Sequence, residues 1–213
     1  MDFLSLAMDT AKSLGADYAD IRIQKSYTEM IYLRNLSLKN TSLNEIYGYG
    51  IRVFKDGAWG FAHNNVFTTD EVNETVKKAF AIAKESGRVK YNNGLVLAHE
   101  RGYIDSYETP YCVDPFGVPL SEKVELMMEV NKTMLNYAEI KLAVFMLECR
   151  KDEKLFASTL GSRLDIQTVY IEPTITATAV AEGDSQSRTY SHGGQAKGWE
   201  WIQGLNLTER AVQ

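Results

Sequence analysis

Apolar positions first recur at helical spacing. Phe3, Leu4, Ala7, Ala11 and Leu14 share one face, and Gly15 is placed to end the helix they predict. The period then drops to two: Ala19, Ile21 and Ile23 point to one side and Asp20, Arg22 and Gln24 to the other, as along a strand. Strand-like runs continue over residues 30–34 and 36–39. The stretch Gly48-Tyr49-Gly50-Ile51-Arg52-Val53-Phe54-Lys55-Asp56-Gly57-Ala58-Trp59-Gly60-Phe61-Ala62 predicts a β-hairpin. Asp56-Gly57 supplies the positive φ angles of a two-residue turn, with apolar residues alternating on both sides. Thr68 and Glu71 then form a capping box, and Val72, Val76, Ala79, Phe80 and Ala83 make a helical stripe that stops near Gly87.

Residues 88–118 lose the pattern. Asn92-Asn93-Gly94, Pro110, Pro115 and Gly117 mark turns, and the segment reads as a connector lying over the surface. Ser121 is placed as the N-cap of a third helix that buries Val124, Met127, Met128, Met134 and Leu135, the methionines filling irregular gaps in a core. Long strands return over residues 141–150, 154–160, 168–171 and 174–181, and Gly183-Asp184 turns the last one back into 186–190. Helix, strands and hairpin thus occur twice, the order an internal duplication would leave. Strands joined by short turns give an α+β fold class: mostly antiparallel sheets with helices packed on one face. Residues 1–205 are expected to form this domain. From 206 the chain starts a helix, capped by Thr208, that stops after about one turn, too short to stand alone. It is expected to lead into a C-terminal domain beyond the chain.

Composition narrows the partners. The 213 residues are 45% hydrophobic and 11% aromatic, enough apolar side chain for a sizeable core. The formal net charge is −5 and Lys and Arg are scattered, which argues against direct nucleic-acid binding. The N-terminus carries Asp2 and no basic start of a signal peptide, and the longest apolar run, 142–147, is far short of the roughly 20 residues of a membrane helix. No membrane partner is expected. Cys112 and Cys149 stand alone without CxxC spacing and read as reduced thiols of a cytoplasmic protein.

Candidate chemistry is sparse. His99-Glu100 is the one His-Glu pair, and Arg101, Gly102, Tyr103 and Ile104 follow it where a second metal-binding histidine would stand. His63 reads as a polar turn residue, and there is no GxSxG or phosphate loop. The stretch Arg188-Thr189-Tyr190-Ser191-His192-Gly193-Gly194-Gln195 is the remaining candidate. Gly193 and Gly194 let another backbone approach, and Arg188, Tyr190 and His192 offer donors for a peptide carboxylate or carbonyl; the alternative is a flexible exit from the last strand. Gly48, Gly50, Gly57, Gly60 and Trp59 read as parts that shape and anchor the hairpin.

The string from Gly48 to Ala62 closely resembles the signature of the TldD/PmbA family, bacterial and archaeal proteins long labelled modulators of DNA gyrase. The opening helix, the Ala-Asp-Ile-Arg strand at 19–22, the helix from Thr69 and the strand-rich second half follow in the family's order. The resemblance implies that the complete protein is a metallopeptidase, a hydrolase acting on extended or unfolded peptides. It also implies zinc, held by an HExxxH motif and a further ligand in a downstream half. None of that motif is in these residues, so no catalytic or metal residue carries over; the chain alone is expected to be inactive and without zinc, walling the substrate chamber as an N-terminal domain. The Asp-Gly-Ala-Trp-Gly-Phe-Ala ending looks nearer the metal-bearing TldD branch. A non-catalytic PmbA-like partner subunit and a free-standing sheet-based binding module are the alternatives. The resemblance further implies a homodimer, or a heterodimer with a family paralogue. The strands over 174–190 and the 188–195 exit are nearest in sequence to the downstream half, and a sheet edge can hold an extended peptide as an added strand, so this segment is expected beside the active-site cleft of the complete protein.

Overall fold

Four strands of this chain run without the breaks that the sequence pattern predicts. The computed structural model describes residues 2–88 and 95–212, and the turn expected at Asn92-Asn93-Gly94 lies outside them. The elements, in chain order, are α1 (Phe3–Ser13), β1 (Tyr18–Arg34), β2 (Ser37–Lys55), β3 (Ala58–Asn64), α2 (Thr69–Arg88), β4 (Ile104–Glu108), a 3-10 turn (Pro115–Gly117), α3 (Leu120–Leu135), β5 (Ile140–Ser158), β6 (Arg163–Ala181), β7 (Asp184–Ser191), α4 (Trp199–Gly204) and α5 (Leu207–Arg210). The described strands form one mostly antiparallel sheet in the order β3-β2-β1-β5-β6-β4, with β7 also paired to β6. The fold class is α+β, and the order α-β-β-β-α occurs twice, as α1 to α2 and as α3 to α4.

The chain divides into two compact units. The first takes Met1–Lys25, Ile46–Tyr107 and Glu153–Gln167, and the second takes Ser26–Glu45, Glu108–Asp152 and Thr168–Gln213.

In the first unit, α1 begins at Asp2, whose carboxylate accepts from the Leu4 and Ser5 N–H groups. It ends on Gly15 at φ +79°, with the Ala16 N–H bonded to Ala11 and the Gly15 N–H to Lys12, a reciprocal closure that satisfies the last carbonyls. Leu4, Ala7 and Ala11 of α1 and Val72, Val76, Ala79 and Ala83 of α2 pack with Ile21, Ile51 and Val53 into one core. Asp56 and Gly57 both take positive φ, 52° and 81°, so the hairpin turn is the mirror-image type that matches strand twist. Beyond it, β2 and β3 pair from Lys55↔Ala58 to Tyr49↔Asn64. At Gly60 a Cβ would lie 2.5 Å from the Ala83 nitrogen and closer still to the Ala79 carbonyl, so glycine is what lets α2 rest on β3. Thr68 Oγ1 accepts from the Glu71 N–H, half of the expected capping box, and the Glu71 carboxylate accepts from the Asn64 side chain.

One reading of this unit is corrected. Asp20 was expected on the outward side of β1 and is buried, because the Arg52 guanidinium donates to both its oxygens at 2.7–3.1 Å. The pair neutralises a charge that burial would otherwise expel. Arg52 also lies 5.3 Å over the Trp59 ring, which Tyr18 and Phe54 flank edge-on or tilted. α2 is described to Arg88, next to Gly87 as expected, and a Cβ at Gly87 would stand 3.0 Å from the Asp56 carbonyl oxygen.

In the second unit, Met127, Val130 and Met134 of α3 pack with Ile31, Leu33, Phe145, Leu147, Ile171 and Trp199. Ser121 lies within the first turn of α3, and the cap position is Pro119, which carries no capping side chain. Val124, Met128 and Leu135 are half-buried flanks of the core; the central line is Lys123, Met127, Val130, Asn131 and Met134. Lys123 is fully buried and ion-paired with Glu29. β5 continues through the expected break at 151–153, because Asp152 turns inward to accept from the Ser26 hydroxyl and the Arg150 guanidinium. The β6–β7 turn is centred on Glu182-Gly183, at φ 49° and 85°, one residue earlier than the sequence reading.

Candidate functional site: the β6–β7 hairpin and its exit

β7 is polar along its length: Asp184–Ser191 is exposed at every position except Tyr190, which is half-buried. Its pairing with β6 runs from Ala181↔Asp184 to Thr174↔Ser191, reinforced by hydroxyl pairs Thr176–Thr189 at 3.0 Å and Thr178–Ser187 at 2.8 Å. Threonine and serine directly opposite one another bond across a sheet face without an apolar neighbour, which holds an exposed strand in register. The other edge of β7 meets no strand among the described residues.

The structure places the five expected residues on this strand and the turn that follows it. Arg188 sits opposite Ala177, exposed, with its guanidinium donating to the Ser187 carbonyl. Tyr190 packs between the His192 imidazole, 5.0 Å away at a steep angle, and the Arg210 guanidinium 5.8 Å from its ring. The Tyr190 hydroxyl is buried and bonds to no described residue. His192 is exposed and reaches Trp201 at 6.1 Å. Gly193, at φ +65°, turns the chain, and its N–H donates to the Ser191 hydroxyl. Gly194 has a structural duty: a Cβ there would fall on the Tyr170 ring. Gln195 then bridges back to Ile171 through two backbone bonds of 3.0 Å, so the exit is pinned to β6.

The chain beyond the exit is held by Glu200. Burial raises this carboxyl, but N–H donors of Glu200 itself, Val113, Gly198 and Cys112 outweigh it and hold the group below its ordinary value. Arg210 and Trp201, which complete the aromatic-cationic cluster, were not legible in the sequence. They come from α4 and α5; α4 carries no pattern signal, and Asn206 at φ 49°, not Thr208, precedes α5.

No three His, Cys, Asp or Glu side chains among the described residues stand close enough together to hold a metal ion. His63 and His99 are both exposed. Both cysteines are free; Cys112 is exposed, and burial pushes the Cys149 thiol up to about 12. A thiol reagent at neutral pH is therefore expected to titrate one cysteine in the folded chain and both in denaturant, since only the thiolate reacts. No described helix is long and apolar enough to cross a membrane.

The chain belongs to the PmbA/TldD metallopeptidase family: residues 19–83 match PmbA/TldA metallopeptidase domain 1 and residues 113–213 match the PmbA/TldA metallopeptidase central domain. A metalloprotease of Methanocaldococcus jannaschii is 27% identical over 149 residues, 70% of this chain and 33% of the relative. A metalloprotease of Methanothermobacter thermautotrophicus is 28% identical over 131 residues, 61% of this chain and 27% of the relative. The chain thus aligns with about a third or less of these relatives. A proposed modulator of DNA gyrase from Thermotoga maritima has the same fold at a TM-score of 0.72 and 18% identity, covering 99% of this chain and 45% of that one. TldE from Thermococcus kodakarensis is similar at 0.74 and 14%, covering 99% and 46%.

Proposed function

We propose that this chain is the N-terminal part of a TldD-like metal-dependent peptidase, walling the chamber in which extended or unfolded peptides are cut. The catalytic metal belongs to residues outside the chain, and a second copy or a paralogue supplies the partner subunit. Membership of a metallopeptidase family supports the reaction class. The observation that supports the substrate-handling role is β7, an exposed strand whose outer edge meets no strand among the described residues, with Arg188 and Tyr190 on it and His192 just after it. An unfolded peptide has unpaired main-chain N–H and C=O groups, and adding it as a strand to such an edge satisfies them without reading its sequence.

The test is Arg188→Ala with His192→Ala in a full-length protein that carries this segment. Both side chains are exposed, so the melting temperature is expected to stay near the parent's. The kcat/KM for an unstructured peptide is expected to fall about tenfold, the loss of roughly 1.4 kcal/mol of transition-state binding. Unaltered cleavage would return the segment to a purely structural exit.

A further inference from the structure

On the second unit, a cavity of about 560 Å³ lies beside the β6–β7 hairpin. Met134, Ile140, Ile175, Ala177 and Val212 give it an apolar wall. Two arginines line it, Arg188 from β7, whose guanidinium donates to the Ser187 carbonyl, and Arg210 from α5, whose guanidinium lies over the Tyr190 ring, and neither has a carboxylate partner among the described residues. Tyr190 lines it too, and its buried hydroxyl is without a bond to any described residue. Glu139 is the acidic residue on the wall. Pockets of roughly 300–1,000 Å³ with an apolar lining and a few converging polar groups are the usual receptacles for small ligands. A planar guanidinium is the side chain best matched to a carboxylate, because it can donate two parallel hydrogen bonds.

We infer that this cavity receives the C-terminal residue of a peptide: an apolar side chain against Met134, Ile140 and Ile175, and the free carboxylate between Arg188 and Arg210. A bare anion would leave the apolar wall wet, and a neutral apolar ligand would leave two cations and a phenol without partners. An apolar residue with a free carboxylate answers both. The peptide source follows from position, since Arg188 and Tyr190 belong to the same strand whose edge takes the peptide main chain in the function proposed above, on which this inference rests.

The experiment is a calorimetric titration of the protein with acetyl-Ala-Leu carrying a free carboxylate, against the same dipeptide as its C-terminal amide and against decanoate. The acid is expected to bind at least about tenfold tighter than the amide, the worth of a charge-assisted pair. Arg210→Gln is expected to abolish that preference, and Tyr190→Phe to weaken the acid several-fold without lowering the melting temperature, since the lost hydroxyl has no partner to leave behind. Equal binding of acid and amide, binding of neither, or tighter binding of decanoate would overturn the inference. Its failure is separable from that of the proposed function. If acid and amide bind alike while Arg188→Ala/His192→Ala still slows cleavage, the edge reading stands alone; an intact acid preference with unchanged cleavage leaves the cavity alone.

Discussion

Gly60→Ala is expected to lower stability by about 3 kcal/mol, the upper end of what overpacking a well-ordered interior costs. The added methyl meets backbone, the Ala79 carbonyl and the Ala83 nitrogen at 2.5 Å, and backbone cannot swing aside as a side chain can. Relief requires α2 to lift from β3, which would open the core formed by Val76, Ala79, Ala83 and Val53. Gly50→Ala is the matched control on the neighbouring strand. Its methyl meets the edge of the Phe61 ring at 2.9 Å, and Phe61 is exposed and free to turn. Urea unfolding should show a large shift of midpoint for the first variant and a small one for the second. Equal shifts would mean that the helix–hairpin contact does not depend on glycine.

The second large effect belongs to the buried ion pair of the other unit. Glu29→Ala leaves Lys123 with 1% of its side chain exposed and no carboxylate, and the expected loss is about 3–5 kcal/mol. Removing both charges together is expected to be far milder. In Glu29→Leu with Lys123→Met, apolar atoms occupy the same volume and no charge is stranded, so most of the loss should return. The measurement is again the unfolding midpoint of the single and double variants. A single variant as stable as the double would show that the pair is solvated in the native protein.

These two sites mark where the sequence was and was not legible. The hairpin at Asp56-Gly57, the core face of α2 and the alternation of Ala19, Ile21 and Ile23 follow from local rules, because turn chemistry and periodicity act within a few residues. Asp20, Lys123 and Asp152 defied those rules for one reason. Each is a charged residue made tolerable inside by a partner: Arg52 is 32 positions from Asp20, Glu29 is 94 from Lys123 and Ser26 is 126 from Asp152. No local window contains Arg52 with Asp20 or Glu29 with Lys123; Asp152 has Arg150 two positions away, but the Ser26 hydroxyl that meets it inside is distant. The candidate site divides in the same way. Arg188, Tyr190 and His192 were visible as neighbours in sequence, whereas Arg210 and Trp201 join them through α4 and α5, which carry too few residues to leave a period. Gly194 was read as room for an incoming backbone, but Tyr170 occupies that room.

The interleaving of the two compact units bears on how this molecule can be taken apart. The family's two matched regions, 19–83 and 113–213, suggest a cut near residue 107. A cut there strips the first unit of 153–167, which holds Ala157 of its core and the Thr159 hydroxyl that accepts from the Ala19 N–H. It equally strips the second unit of 26–45, with Ile31, Leu33 and the Glu29 carboxylate. The segments of the two units alternate along the chain, so no single cut within these 213 residues leaves both units whole. A single cut anywhere between residues 26 and 167 interrupts both units at once, so a truncation in that range is expected to cost both cores together.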